Sequence, residues 1–575
     1  MHEPFPASDK SARREFWLFL LFALIVIGAG IGLRDPWPAD EPRFALSARQ
    51  MVESGDWLIP RRGHEIYADK PPAFMAMQAA AFELVRNWRV AFLLPSLLAA
   101  LGTLWLVYDL GRRLWGHRTG LYAGVALLCA IQFVYQAKRA QIDPTVTFFI
   151  TLANYGLLRH FLLGPDWRLY WLGCFAAGLG VITKGVGVLA LLMFVPYIFA
   201  RRSHWNFVVA ARGTARWAGG FAAFLAAIAL WLVPLAIAVS LHPSSDYQTY
   251  LHDILFRQTA ARYTDSWDHR QPPWYYFGVI LTGWMPLWLV WFGTVPAWAR
   301  AFRACDARLL LPLAWSLLVI AFFSIPSGKR DMYIMPALPM VALACAPYLA
   351  QIVATRWFRA LALAVLVALG GALAGAGMHA WSGHWKFAND LAGQRGFDGG
   401  GTALWSLLIA LGAWLLACAA WFRLARAERG LVAGLAGLWL LWGLWASPLL
   451  NDSSSAHGLM RRVGAMIGTD AELALVAWKE QNLLFVDREV VEFGFVKPAH
   501  AQLGEAIRWQ EEKPDSRWVF VLADAMAPCI DQTRARYVGH ANRREWWLFR
   551  SDAVSDACRG GNVPAPQKSV DAEVD

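Results

Sequence analysis

Residues 40–60, DEPRFALSARQMVESGDWLIP, decide how the chain is organised. They lie in a polar loop, 34–88, between an apolar run at 16–33 and another at 89–110. Asp40 can cap a helix whose first turn holds Glu41 and Pro42 and which ends near Gly55. An apolar face predicts that this helix lies on a membrane surface. That face comprises Ala45, Ala48, Met51 and Val52.

The composition is that of a membrane protein. Of 575 residues, 57% are hydrophobic and 17% are charged, against about a quarter charged in soluble domains. Apolar runs long enough to cross a bilayer predict about thirteen transmembrane helices within residues 1–450. Residues 451–575 are polar and predict a small α/β domain with strand-like runs at 473–478, 483–486, 518–522 and 546–549, a helix near 501–509 and a disordered C-terminal end.

The charge pattern gives an orientation. Short Arg-rich connections all fall on the same side as the N-terminus, which is therefore predicted to be cytoplasmic. These arginines account for most of the net charge of +11, and there is no nucleic-acid-binding module. An odd number of spans places the C-terminal domain and a second large loop, 242–273, on the outer side. In that location Cys529 and Cys558, the two cysteines of the polar tail, are expected to form a disulfide.

Cations and carboxylates gather where the spans emerge on the outer side, although short outer loops disfavour cations. No span carries a charged residue near its centre, which argues against an ion-coupled transporter. Lys and Arg suit a phosphate group and carboxylates suit general-base work, so the pattern indicates chemistry on a lipid phosphate. The outer-side groups are Asp40, Glu41, Arg43, Asp69, Lys70, Lys138, Arg139, Asp143, Lys184, His269, Lys329 and Arg330.

Five further segments join the first to resemble, in order, a known superfamily. The segment at 40–60 is followed by YADKPPAFMAMQ (67–78), KRAQIDP (138–144), GLGVITKGVGVL (178–189), HRQPPWYYF (269–277) and FFSIPSGKRDMYIMPALP (322–339). Together they resemble bacterial integral-membrane glycosyltransferases of the GT-C fold (glycosyltransferase family 39-like). Within it they are similar to the lipid A aminoarabinose transferases and their protein O-mannosyltransferase-like relatives. In the Gly-rich segment the charge alternation favours a hairpin with Lys184 at its outer tip.

The resemblance implies a polyprenyl phosphate sugar donor, specifically undecaprenyl phosphate, and transfer on the periplasmic face of the inner membrane. The favoured reaction moves 4-amino-4-deoxy-L-arabinose to lipid A phosphate with inversion. Asp69 replaces the Glu typical of the aminoarabinose transferases, and Phe44 replaces their Tyr, so the motifs by themselves leave the sugar open.

The resemblance also implies residue roles. Asp40 and Asp69 are the catalytic candidates, and His269 with Asp69 is a candidate divalent-metal position; no other cofactor is implied. The candidates for contact with the donor phosphate are Arg43, Lys70, Lys184, Lys329 and Tyr333. Further candidates, at the acceptor or elsewhere in the site, are Glu41, Arg139, Asp143 and Arg262.

Rival interpretations remain open at this point. Another lipid-linked sugar, or a protein or other glycan acceptor, would keep the same enzyme class. A lipid-linked-sugar transporter would need no catalytic carboxylate. A scaffold whose tail binds periplasmic partners would tolerate neutralisation of the outer charges. Asp40 itself has a purely structural interpretation as a helix cap.

Overall fold

A computed structural model describes residues 9–241, 245–255, 269–397 and 401–565. The chain is mainly helical through residue 454. The helices of this part are α1 (Asp9–Gly28), α2 (Glu41–Ser54), α3 (Ala73–Val85), α4 (Trp88–Ala91), α5 (Leu94–Trp115), α6 (His117–Cys129), α7 (Ile131–Ala137), α8 (Ile142–Leu162), α9 (Trp167–Lys184), α10 (Phe194–Arg202), α11 (Thr214–Leu241), α12 (Ser245–His252), α13 (Tyr275–Gly283), α14 (Trp291–Arg303), α15 (Ala307–Ser324), α16 (Leu338–Ala354), α17 (Arg356–Trp381), α18 (Lys386–Gln394), α19 (Thr402–Phe422), α20 (Ala427–Leu441) and α21 (Ser447–Ser454).

Membrane-spanning helices are confirmed, although their number is not settled at thirteen. Within the described ranges seven helices are long and apolar enough to cross a bilayer, or up to nine if two bent helix pairs each count as one span. The pairs bend by 71° between α6 and α7 and by 94° between α13 and the segment Leu287–Arg303. The first predicted span, 16–33, corresponds to α1, which begins earlier, at Asp9, and ends earlier, at Gly28.

The Gly-rich segment makes a tight reversal after Lys184. Helix α9 ends at this lysine, and Gly185 follows with φ of 78°, a conformation that glycine adopts at no steric cost. The chain continues as a 3₁₀ segment, Val186–Met193, that packs back against α9. Gly180 and Gly187 allow the two backbones to touch, because a Cβ on Gly187 would lie 2.2 Å from the carbonyl carbon of Gly180.

Helix α2 begins and ends where the sequence predicts, with Gly55 as its left-handed C-cap. Its expected position on the membrane surface is wrong, because protein covers both of its apolar sides. Phe44, Ala48 and Met51 pack against α3 and the start of α8. Ala45 and Leu46 belong to a core shared with the C-terminal sheet. The helix thus lies between the membrane-spanning part and the C-terminal part.

The C-terminal residues form a five-stranded mixed sheet. One sheet face packs against helix Ala499–Glu511 and the other against helix His457–Ile467 and α2. The strands are β3 (Glu472–Val476), β4 (Val490–Glu492), β5 (Arg517–Leu522), β6 (Arg536–Ala541) and β7 (Arg544–Phe549), and the helices are α22 (His457–Ile467), α23 (Glu480–Phe485) and α24 (Ala499–Glu511); a small hairpin in the first loop supplies β1 (Arg61–Arg62) and β2 (Glu65–Ile66). The strand order is β4-β3-β5-β7-β6. Strand β3 is parallel to its neighbours β4 and β5, and β7 is antiparallel to its neighbours β5 and β6.

Strand β5 shows why the sheet has two apolar faces. All of its residues are buried. Trp518 and Phe520 face α22 and α2, whereas Val519 and Val521 face α24, the alternation expected of a strand. The prediction of a strand at 483–486 is wrong, since these residues fall mostly within helix α23.

The end of the C-terminal part is held by a disulfide. Cys529 and Cys558 are bonded to each other across a sequence separation of 29 residues. The end predicted to be disordered falls, from residue 566 on, outside the described residues.

The glycine contact in the hairpin gives a stability prediction. We expect Gly187→Ala to lower the melting temperature of the purified protein, because the new methyl group meets backbone that cannot move aside. Gly371→Ala is the matched control, since a Cβ there has no heavy atom within 4 Å and φ is not positive. It should leave the melting temperature unchanged or raise it slightly. Equal effects of the two changes would contradict the close packing at Gly187.

Candidate active site

Asp40 directly precedes helix α2 but does not cap it. Its side chain makes no hydrogen bond to the first turn. Its Oδ2 instead accepts a hydrogen bond from Arg330 at 3.0 Å, and its Oδ1 lies 3.8 Å from Arg43. The purely structural interpretation of Asp40 as a cap is therefore wrong, and its carboxylate faces two arginines.

Burial and charge act in opposite directions on Asp40. The residue is 7% exposed, and burial by itself raises the pKa of its carboxyl. Arg330 and Arg43 outweigh that effect, so the pKa of Asp40 lies below its ordinary value of 3.8. The group is ionised throughout the neutral range and is a weak proton acceptor.

Glu41, the next residue, is completely buried and fully hydrogen-bonded. Arg34 donates to its two oxygens at 2.5 and 2.8 Å, and the backbone N–H groups of Trp37 and Ala140 donate at 2.8 and 2.9 Å. Arg139 lies 3.7 Å away. Burial raises the pKa of Glu41, but Arg34 and Arg139 bring it below the usual range. Glu41 therefore fixes the start of α2 and is closed to a ligand.

A second ion pair joins α8 to the reversal after α9. Lys184 Nζ donates to Asp143 Oδ1 at 2.5 Å, and both side chains are largely buried. The ammonium lies 5.0 Å from the centre of the Tyr333 ring. Arg330 interacts with Tyr333 and Asp143 as well as with Asp40. The charge of Arg330 therefore acts on both ion pairs, while its hydrogen bond goes to Asp40.

Lys329, a candidate for contact with the donor phosphate, is held by backbone carbonyls of the loops around it. Its ammonium is buried and donates to the backbone carbonyls of Gln271 and Pro326, at 3.1 and 2.5 Å. The neighbouring Arg330 is the cation that reaches Asp40. The structure thus gives Lys329 the role of holding the loop and gives Arg330 the place next to the carboxylate.

Asp69 and Lys70 lie on the turn before α3, beside the same site. Lys70 Nζ donates to the Asp69 carbonyl at 3.1 Å, and the hydroxyl of buried Tyr250 donates to the Lys70 carbonyl at 3.4 Å. Tyr67 is buried between this turn and Arg43, and burial raises the pKa of its phenol. The turn is therefore anchored from beneath by two tyrosines that sequence reasoning did not select.

The C-terminal part also contributes to the site. Glu480, the first residue of α23, accepts from Arg43 Nε at 2.9 Å and lies 3.5 Å from Arg62. Arg43 thus lies between Asp40 and Glu480. No local sequence pattern identifies Glu480 as a site residue, because its partner Arg43 lies 437 residues earlier in the chain.

The described residues do not supply a set of metal ligands at the proposed metal position. Across 9–241, 245–255, 269–397 and 401–565 there is no group of three or more His, Cys, Asp or Glu side chains that could hold an ion. His269 is exposed, and its backbone carbonyl accepts from the Lys329 N–H at 3.0 Å. Arg262, the remaining candidate, lies outside the described residues.

Comparison with known proteins supports the sequence resemblance. The family model for dolichyl-phosphate-mannose-protein mannosyltransferase matches residues 69–233. Curated relatives named undecaprenyl phosphate-alpha-4-amino-4-deoxy-L-arabinose arabinosyl transferase, from Pseudomonas paraeruginosa and Pseudomonas aeruginosa, are 28% and 29% identical. Each match covers 85% of this chain, and they cover 88% and 89% of the two relatives.

A solved structure extends the comparison to three dimensions. The crystal structure of ArnT from Cupriavidus metallidurans bound to undecaprenyl phosphate superimposes with a TM-score of 0.72 at 19% identity, covering 93% of this chain and 97% of that one. The chain has the fold of ArnT. The GT-C fold expected from the sequence is thereby confirmed, as is the resemblance to this superfamily.

The buried Glu41 network predicts a large stability effect. We expect Glu41→Gln to leave Arg34 and Arg139 without their buried counter-charge, at a cost of about 3–5 kcal/mol in the free energy of unfolding. Thermal or denaturant unfolding of the purified protein measures this loss. Glu53→Gln is the matched control, because Glu53 is exposed and its ion pair with Arg49 is on the surface. Equal losses from both changes would contradict the assigned role of Glu41.

Proposed function

We propose that this protein transfers 4-amino-4-deoxy-L-arabinose from undecaprenyl phosphate to a phosphate group of lipid A. The observation that carries the proposal is an ionised carboxylate, Asp40, held between Arg330 and Arg43 in a chain with the ArnT fold. Similarity over 85% of the chain to transferases named for the undecaprenyl phosphate-aminoarabinose donor supports the same sugar and carrier.

The proposed reaction belongs to the outer face of a bacterial inner membrane. The topology that goes with it has thirteen spans and a cytoplasmic N-terminus, with the C-terminal α/β domain in the periplasm. Residues 1–450 form the transmembrane domain and 451–575 the periplasmic one. The Arg-rich connections between spans, all on the side of the N-terminus, support this arrangement.

Several cations are suitably placed to receive the donor phosphate. The polyprenyl chain would lie along the spans, with its phosphate near Lys184, Arg330 and Lys70. These cations would stabilise the negative charge that grows on the phosphate as it leaves, and such stabilisation usually lowers the barrier more than any other single effect in sites of this kind. Tyr333 lies against Lys184 and holds the ammonium in place.

The low pKa of Asp40 favours a phosphate acceptor over a sugar hydroxyl. A hydroxyl must lose a proton as it attacks, and a carboxylate with a depressed pKa is a poor base for that purpose. An ionised phosphate oxygen is already nucleophilic. It attacks the anomeric carbon and forms the new C–O bond, while the bond to the carrier phosphate breaks and its electron pair leaves with undecaprenyl phosphate. Direct displacement inverts the anomeric centre, and Asp40 stabilises positive charge on the sugar ring.

The proposal is tested by mass spectrometry of lipid A and polyprenyl lipids from cells with the gene deleted, restored, or restored as Asp40→Asn. We expect a pentosamine on lipid A that needs the gene and falls by about a hundredfold or more with Asp40→Asn. Asp56→Asn, in the same loop, is the control, because an amide oxygen can still accept from the Leu58 N–H.

Other outcomes identify the rivals. Unchanged lipid A with an accumulated polyprenyl phosphate sugar would move the acceptor elsewhere, to protein or another glycan. An Asp40→Asn protein that keeps full function would favour a transporter of the lipid-linked sugar. No lipid change in any strain would favour a scaffold.

The ion pair of Asp40 with Arg330 predicts a pH effect. Because the pKa of Asp40 in the folded protein is lowered, its ionised form stabilises the site above its ordinary pKa of 3.8, and this contribution is lost as the pH falls through the folded value. Arg330→Gln should raise the pKa of Asp40, so the acid limb of kcat/KM moves to higher pH. Arg330→Lys keeps the charge and should keep the limb near its original position. An acid limb that does not move in Arg330→Gln would show that Asp40 does not control it.

A further inference from the structure

A second group of cations lies where the first loop meets the C-terminal sheet. We call Arg43, Arg62, Lys479 and Arg544 the junction site. Arg43 belongs to α2 and Arg62 to β1, whereas Lys479 precedes α23 and Arg544 begins β7. Two parts of the chain more than 400 residues apart in sequence thus bring like charges together.

The charges at the junction site are not balanced. Glu480 is shared between Arg43 and Arg62, at 2.9 and 3.5 Å. Lys479 and Arg544 have no ion pair with any described residue. Glu492 is the other buried carboxylate nearby. Its Oε1 already contacts the backbone N–H of His64 at 2.9 Å and the Nδ1 of the His64 ring at 2.7 Å.

The cations affect one another. The pKa of the Lys479 ammonium is lowered to about 8, by burial first and then by repulsion from Arg544, Arg43 and Arg62, against attraction by Glu480. Like charges that are held together and partly buried destabilise the protein unless an anion is bound between them.

The site also has fixed geometry. The Arg62 guanidinium lies 3.6 Å from the centre of the Phe495 ring, and the Lys479 ammonium lies 5.8 Å from the same centre. Arg62 is therefore held in place by the Phe495 ring on one side and by Glu480 on the other. A guanidinium fixed in this way suits a phosphate group, because its terminal N–H groups can donate to several phosphate oxygens at once.

We propose that the junction site binds the phosphate group of the acceptor and holds it next to Asp40. The assignment rests on the proposed function. Arg43 supports the acceptor rather than the donor as the source of this phosphate, because it links the junction site to Asp40 from the side of the C-terminal sheet. The cations placed for the donor, Lys184 and Arg330, reach the site from the spans instead.

The test uses the full-length protein in nanodiscs, with lipid A and its dephosphorylated form as probes. We expect Lys479→Gln/Arg544→Gln to raise KM for lipid A and to weaken its binding about tenfold or more. KM for the undecaprenyl phosphate sugar should stay near the wild-type value. Binding of dephosphorylated lipid A should not change. The single change Lys479→Arg should keep most of the affinity for lipid A, since it keeps the positive charge.

The control is Lys497→Gln/Arg534→Gln, which removes two exposed cations from the same part of the chain, each paired with a nearby carboxylate. It should leave both KM values unchanged. Melting temperatures of all variants establish that they are folded. Should the double variant be unfolded, the single change Lys479→Gln, at a partly buried side chain, decides the question by the same measurements.

The remaining outcomes separate this proposal from the proposed function. An equal rise in KM for the donor would assign the cations to the donor phosphate and overturn the acceptor site. Unchanged binding of lipid A would overturn it as well. Binding that depends on Lys479 and Arg544 in a wild-type protein that transfers no sugar would keep the junction site and overturn the transferase.

Discussion

The buried contact between Arg34 and Glu41 is the constraint on which the site depends. It joins the chain just after α1 to the first turn of α2, and Arg139 and the Ala140 N–H bring in the connection to α8. Burying these charges costs free energy, which is offset because both oxygens of the Glu41 carboxylate accept hydrogen bonds. Since Asp40 is the neighbouring residue, the same contact fixes where its carboxylate points.

The charges of the site form matched pairs when no ligand is bound. Arg330 is paired with Asp40 and Lys184 with Asp143. Cations that would otherwise repel one another are thereby kept together at small cost in free energy. Arg330 and Lys184 are therefore already neutralised within the protein, by Asp40 and Asp143.

Local features of the fold were predictable from the sequence. The bounds of α2 follow from Asp40, Pro42 and Gly55, and the reversal at Gly185 follows from the charge alternation on either side of it. The position of α2 was not predictable, because its apolar face has the same pattern whether it meets lipid or protein. The sheet of the C-terminal part covers one side of that face.

The candidate site could be predicted by region but not by contact. The sequence placed Asp40, Asp143 and Lys184 near one another only through resemblance, and the structure brings them together. The sequence analysis selected Lys329, whereas Arg330 is the residue that contacts Asp40. The sequence does not distinguish the two, because adjacent residues in a loop differ only in the direction of their side chains. The metal position at His269 stays a prediction. Glu480 carries no local signal, since its partner is defined by tertiary packing alone.

The contact of Arg43 with Glu480 has a consequence for biosynthesis. The two residues are 437 positions apart, so the ribosome must make most of the chain before they can meet. A nascent chain that has inserted every apolar segment already carries Asp40, Asp143, Lys184 and Arg330, yet Arg43 still lacks one of its two carboxylates. The contact can form only after the chain has been made as far as Glu480, so a chain that stops before the C-terminal part cannot complete it.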